Sequence, residues 1–193
     1  MKKNISAIAF TLFILSLFLV ACGNNENMNE GTNTGSSNMD SDSGESMDSM
    51  NHAESSDIPE GLKEANNPTY EVGSNAIITA NHMKGMDGAE ATIKGAYQTT
   101  AYVISYTPTS GGEKVDNHKW VIQEEIEEAG GENLEEGMEV TITASHMEGM
   151  NGAKAIIDSE NSTTVYMVDY MPTTGGEEVT NHKWVTESEL TVK

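Results

Sequence analysis

The chain has 193 residues, with 31 Asp and Glu against 10 lysines and no arginine, for a formal net charge of −21. So acidic a chain lacks the cationic face that phosphate backbones require, which excludes nucleic acid as a partner. Its single cysteine, Cys22, excludes an internal disulfide and any CxxC motif, so a metal site would have to use His, Met, carboxylate or aromatic groups.

Met1-Lys2-Lys3-Asn4 gives a positive start, and Ile5 to Val20 is an almost unbroken apolar run. The run is short for a membrane span and reads as a secretory signal, residues 1–21. It closes as Leu19-Val20-Ala21-Cys22, a lipobox, so lipidation of Cys22 is expected, with the chain anchored on the extracellular face of the cell membrane. The rival is a plain export signal with a chance cysteine.

Residues 22–57 are rich in Asn, Ser, Asp, Glu, Gly and Met and cannot bury enough apolar surface to offset chain entropy, so a disordered tether is expected. Methionine has no core to fill there. Met39, Met47, Met50 and His52 are therefore candidates for weak Cu(I) capture, against the plainer reading of a polar spacer. Asp40-Ser41-Asp42-Ser43-Gly44 is out of register for an EF-hand loop.

Beyond the tether the sequence repeats at an offset of 64. His82, Met83, Gly85, Met86, Gly88 and Ala89 return as His146, Met147, Gly149, Met150, Gly152 and Ala153. Tyr106, Pro108, Asn117, His118, Lys119 and Trp120 return as Tyr170, Pro172, Asn181, His182, Lys183 and Trp184. Two domains are expected, 58–129 and 130–193.

Ile58 to Ala65 resembles a helix start, with Asp57 as cap and Pro59 in the first turn. In the second copy, residues 137–144 alternate with period two, and 153–157, 164–170 and 179–185 give three more strands between turns. Residues 187–190 read as one helical turn or a closing edge strand. Four or five strands in so short a unit predict an all-β fold of two tandem small SH3-like barrels. Pattern analogy of this kind specifies no function.

No Walker loop, dinucleotide fingerprint, GxSxG elbow or HExxH is present, and no nucleophile has a recognisable base, so no enzyme is expected. The doubled His-Met-x-Gly-Met and Asn-His-Lys-Trp sets carry soft and borderline donors. The candidate metal ligands are His82, Met83, Met86 and His118 in one copy and His146, Met147, Met150 and His182 in the other, with Trp120 and Trp184 as shields of the ion. Each has a structural alternative. The methionines fill cores, the second histidines bond backbone carbonyls, and the tryptophans supply bulk. His82 and His146, at turns, fit a core least well.

The motifs His-Met-x-Gly-Met-x-Gly-Ala and Tyr-x-Pro-Thr-x-Gly-Gly-Glu-x-Val-x-Asn-His-Lys-Trp-Val, each present twice, resemble the YdhK/CopL family of Gram-positive lipoproteins over about residues 58–193. The resemblance implies a membrane-attached protein that sequesters copper, as Cu(I), without redox turnover and protects against copper toxicity. It further implies a copper-exporting P-type ATPase as a partner. Met138, Met167 and Met171, which the first copy lacks, suggest that the second site is richer in sulfur. The alternative function is a non-metal envelope scaffold whose two barrels recognise a wall polymer or a partner protein.

Overall fold

Among the described residues, alternating apolar residues and well-spaced glycine turns yield eight strands. They are β1 (Lys63–Glu64), β2 (Asn75–Ile78), β3 (Glu90–Tyr106), β4 (Val115–Ile122), β5 (Glu139–Thr141), β6 (Lys154–Tyr170), β7 (Val179–Thr186) and β8 (Leu190–Thr191). Three 3₁₀ turns, Gln123–Glu125, Glu127–Ala129 and Glu187–Glu189, complete the regular structure, and the fold is all-β. The computed structural model describes residues 54–130 and 134–193. The expectations for residues 1–21, Cys22, Met39, Met47, Met50 and His52 lie outside the described residues. Among the described residues no helix is long and apolar enough to cross a membrane.

Two 17-residue strands, β3 and β6, form the spine, paired antiparallel from Ala91↔Tyr170 to Tyr106↔Ala155. Midway, Thr99 pairs with Thr163, its own equivalent in the other repeat, so a pseudo-two-fold axis passes through the middle of this ladder. The sequence divides β6 into two strands at 158–163. The structure joins them, because no Gly or Pro interrupts that stretch and its backbone is paired with residues 99–103 of β3.

The long ladder distributes the repeats between two cores. One core takes Ile78 from β2, Ile93 from the first part of β3, Tyr166, Val168 and Tyr170 from the last part of β6, and Val185 from β7. The other takes Tyr102, Ile104 and Tyr106 from the last part of β3, Val121 from β4, Val140 from β5 and Ile157 from the first part of β6. Each half thus joins the N-terminal part of one repeat to the C-terminal part of the other. A third cluster between them holds Val103, Trp120, Ile122, Val165, Met167 and Trp184.

Hydrogen bonding follows the open path β5-β6-β3-β2-β8, with β1, β4 and β7 as side branches, so the sheet is not closed into two barrels. In the first half, β8 returns to β2 at Ile78↔Leu190; in the second, an isolated bridge joins Ile126 to Ile142 at the equivalent positions. The helix expected from Ile58 does not form. Gly61, at φ 89°, stops it, and Lys63 and Glu64 pair with Gln98 and Tyr97 while Ile58 and Leu62 pack on the central cluster. The last residues expected to be tether are docked as well, with the Glu54 N–H donating to the Thr180 carbonyl at 3.1 Å.

Candidate metal centre

The two His-Met-x-Gly-Met segments form identical tight turns. The Met86 N–H donates to the Met83 carbonyl at 3.2 Å and the Gly88 N–H to Ile78 at 2.8 Å; Met150 and Gly152 repeat both bonds. Each turn is clamped by the Pro-Thr turn of the other repeat, Thr173 N–H donating to the Gly85 carbonyl and Thr109 N–H to that of Gly149, both at 2.8 Å. This close approach explains the glycines. Gly85 and Gly149 have φ of 80° and 73°, and an added Cβ would lie 2.6 Å from Thr174 Oγ1 and 2.4 Å from Ser110 Oγ.

These turns separate the candidate methionines. Met86 and Met150 are fully buried in the two cores and serve as packing residues. Met83 and Met147 line an open cleft of ≈ 1660 Å³ together with His82, His118, His146 and His182. The sequence groups His82 with His118 and His146 with His182. In space β7, carrying His182, belongs to the half of His82, and β4, carrying His118, to that of His146. The extra methionines are likewise divided. Met171 follows the end of β6 in the first half, Met138 adjoins β5 in the second, and Met167 is buried between them.

Bulges place the strand histidines. The β3–β4 and β6–β7 registers shift on both sides of Ile104↔His118 and Val168↔His182. Next to them, Asn117 and Asn181 adopt φ of 53° and 56°, which Asn tolerates, their N–H groups donating to Ser105 Oγ at 3.1 Å and Asp169 Oδ1 at 2.7 Å. The Lys119–Trp120 and Lys183–Trp184 peptides that follow are cis.

Two carboxylates that sequence reasoning passes over anchor the turn histidines. His82 Nε2 lies 2.7 Å from Glu189 Oε1, and the Trp120 indole N–H donates to Glu189 Oε2 at 2.8 Å. His146 Nε2 lies 2.8 Å from Glu125 Oε1, and the Trp184 indole N–H donates to Glu125 Oε2 at 3.1 Å. Each tryptophan therefore reaches the carboxylate of the opposite half, which ties the halves together. The signal was available: Glu125 and Glu189 recur at the repeat offset, and Thr186-x-x-Glu189 has capping-box form.

The electrostatics follow from this burial. Burial pushes the Glu189 carboxyl up, but the hydrogen bonds from His82, Thr186 and Trp120 outweigh it and hold it at about 2. Burial lowers the His146 imidazole, yet the Glu125 charge and hydrogen bond prevail and raise it. His118 is pushed down to about 4 by burial and by the neighbouring imidazoles of His146 and His82, which outweigh the opposing charge of Glu125.

What remains, among the described residues, is a set of buried ring nitrogens without a hydrogen-bond partner: Nδ1 of His82, Nδ1 of His146, Nε2 of His118 and Nε2 of His182, while Nδ1 of His182 has only the Glu54 carboxylate, 3.4 Å away. An orphaned buried polar group costs on the order of 1–3 kcal/mol, so several around one cleft require an explanation. Tyr106 stacks edge-on against His118 at 5.9 Å and donates its hydroxyl to Met147 Sδ at 3.9 Å, which brings thioether and imidazole to one rim. Among the described residues no three His, Cys, Asp or Glu side chains converge as a ready-made polyhedron. Imidazole nitrogen and thioether sulfur, the donor types that line the cleft, are ones that a soft ion with few ligands such as Cu(I) accepts.

The comparisons agree with this doubled architecture. The model of the family described as "Protein of unknown function (DUF1541)" matches twice, at residues 72–123 and 136–187. The uncharacterized protein YdhK of Bacillus subtilis is 58% identical across 100% of this chain and 93% of its own length. A crystal structure of B. subtilis YdhK, itself described as a DUF1541 family protein, is 64% identical with a TM-score of 0.72, covering 74% of this chain and 97% of that one. A solution structure of the YdhK C-terminal domain is 66% identical with a TM-score of 0.61, covering 64% and 93%. With both repeats matched and this chain aligned to YdhK over its whole length, the chain belongs to the DUF1541 family, alongside YdhK.

Proposed function

We propose that this protein is a non-catalytic, copper-sequestering lipoprotein anchored through Cys22 to the extracellular face of the cell membrane, where it holds Cu(I) and lowers its free concentration. The observation that carries this reading is that four histidines, each with a buried ring nitrogen that makes no hydrogen bond, line one cleft together with Met83 and Met147. His82, His118, His146, His182, Met83 and Met147 would hold the ion, which needs no thiolate and so suits an oxidising exterior. Trp120 and Trp184 lie in the central cluster rather than among the residues lining the cleft, and act on it through the anchoring carboxylates instead of shielding the ion directly. The Met-rich segment ahead of residue 54 would gather copper first, and a copper-exporting P-type ATPase would supply it. The same proposal takes each half as an open, SH3-like arrangement built from both repeats, because hairpin, strand and 3₁₀ turn recur around each core, with the Ile126↔Ile142 bridge of one half standing where the other has the short strand β8.

The test is anaerobic titration of residues 46–193 with Cu(I) against a chromogenic competitor. Stoichiometric withdrawal of copper, weakened in a His82→Ala/His146→Ala double variant and unchanged in Met86→Leu/Met150→Leu, supports the reading. A wild-type fragment unable to compete removes copper from this cleft and leaves it to a non-metal partner.

A further inference from the structure

In both halves the two oxygens of the anchoring carboxylate have different tasks. Glu189 Oε1 faces His82 Nε2 at 2.7 Å, while Oε2 accepts the Trp120 indole N–H at 2.8 Å, the Thr186 backbone N–H at 3.0 Å and the Thr186 hydroxyl at 2.9 Å. Glu125 repeats the plan, with Oε1 2.8 Å from His146 Nε2 and Oε2 accepting the Trp184 indole N–H and the Ile122 backbone N–H, both at 3.1 Å. An ionised carboxylate only accepts, so Nε2 of each histidine carries the hydrogen. In a neutral imidazole the other nitrogen then keeps its lone pair. That nitrogen, Nδ1, is the one left buried and unpartnered in His82 and His146, whose side chains are only 9% and 8% exposed.

We infer that Glu125 and Glu189 are positioning residues that fix His146 and His82 as Nε2–H tautomers and so present Nδ1, not Nε2, to an incoming ion. The assignment rests on the proposed copper site only for the identity of that ion. Carboxylates behind metal-binding histidines set ring orientation and basicity in this way, and losing one typically costs roughly 10–100-fold in metal affinity.

The geometry makes an isosteric substitution informative. In Glu125→Gln the amide oxygen must stay toward the Trp184 and Ile122 N–H groups, because an NH₂ there would face two donors. The NH₂ then points at His146 Nε2, which must become the acceptor, and Nδ1 takes the hydrogen and closes to metal. Glu189→Gln does the same to His82, with the N–H groups of Trp120 and Thr186 holding the amide oxygen.

The experiment uses the full chain, ¹⁵N-labelled at histidine and metal-free, over a pH series carried upward until the ring signals cease to move, with two-bond ¹H–¹⁵N correlations reporting each tautomer. The expected result is Nε2–H at His82 and His146 in the wild type, reversed in each Gln variant only in its own half. Addition of Cu(I), a closed-shell ion that leaves the spectra sharp, then shifts Nδ1 of the wild type, and each Gln variant loses affinity in its own half by roughly 10–100-fold. An Nδ1–H tautomer at either histidine of the wild type overturns the assignment, as does a folded Gln variant with an unchanged tautomer. If a Gln variant unfolds, the wild-type tautomers decide. A wild type with the expected tautomers that takes up no Cu(I) supports the positioning role and rejects the copper reading.

Discussion

The two halves share a core plan but differ at the rim. In the first, Glu54 of the lead-in segment lies against β7, its Oε1 3.4 Å from His182 Nδ1 and its carbonyl accepting the Asn181 side-chain N–H at 3.2 Å, while the Tyr170 hydroxyl has no partner. In the second, no carboxylate among the described residues forms an ion pair with His118, and the equivalent hydroxyl, Tyr106, donates to Met147. The repeats make both sites, and the segment that enters only one of them makes the sites unequal. Duplication therefore yields two related sites with different charge at the strand histidine.

The strongest way to break the comparison is to separate the repeats. Because each core draws strands from both, residues 54–129 or 130–193 alone leave half of each core without its cover, and neither is expected to be a folded monomer. Each is expected to be unfolded or an obligate dimer in which the pseudo-two-fold axis becomes exact. Sedimentation with thermal unfolding checks this, and a cooperative monomer overturns it.

Next in size, Met86→Ala and Met150→Ala should each cost about 2–5 kcal/mol, equally in the two halves, because both side chains fill cores. Met83→Ala and Met147→Ala should change stability by less than about 1 kcal/mol, acting on Cu(I) affinity instead. Denaturant unfolding beside copper titration separates the two pairs.

The His118 imidazole supplies a third difference. Its folded value is pushed down to about 4 from 6.5, so the unfolded chain binds more protons between those values and stability falls as pH is lowered from 6.5 to 4. The loss amounts to at most roughly 3 kcal/mol for the metal-free protein. In His118→Gln the pH slope over that window should flatten, and an unchanged slope in urea unfolding would argue against it. The smallest effect is expected from Glu54→Gln, within about 1 kcal/mol of wild-type stability. Its signature is local: ring resonances of His182 shift while those of His118 stay in place.

Legibility varied with the range of the interactions involved. The turns carrying His82 and His146 were readable because their glycines and short hydrogen bonds are local. Met83 and Met86 were indistinguishable by type, since only packing decides that one faces a cleft and the other a core. The helix that the sequence predicts at Ile58 does not form because its start signals are local, whereas the pairing of Lys63 and Glu64 with β3 that replaces it is not. Glu125 and Glu189 were hidden among 31 acidic residues; their burial, rather than their chemistry, sets them apart.

The sequence by itself determined that the chain is duplicated and all-β and that its donors are soft, because repetition, strand period and residue type are written one position at a time. Only the tertiary structure decided which donors meet. The β3–β6 ladder passes each repeat into the other's core, so His82 comes to share a half with His182 and its carboxylate comes from Glu189, more than 100 positions away. Pairing across such distances depends on which surfaces bury each other, and sequence spacing carries no record of that choice.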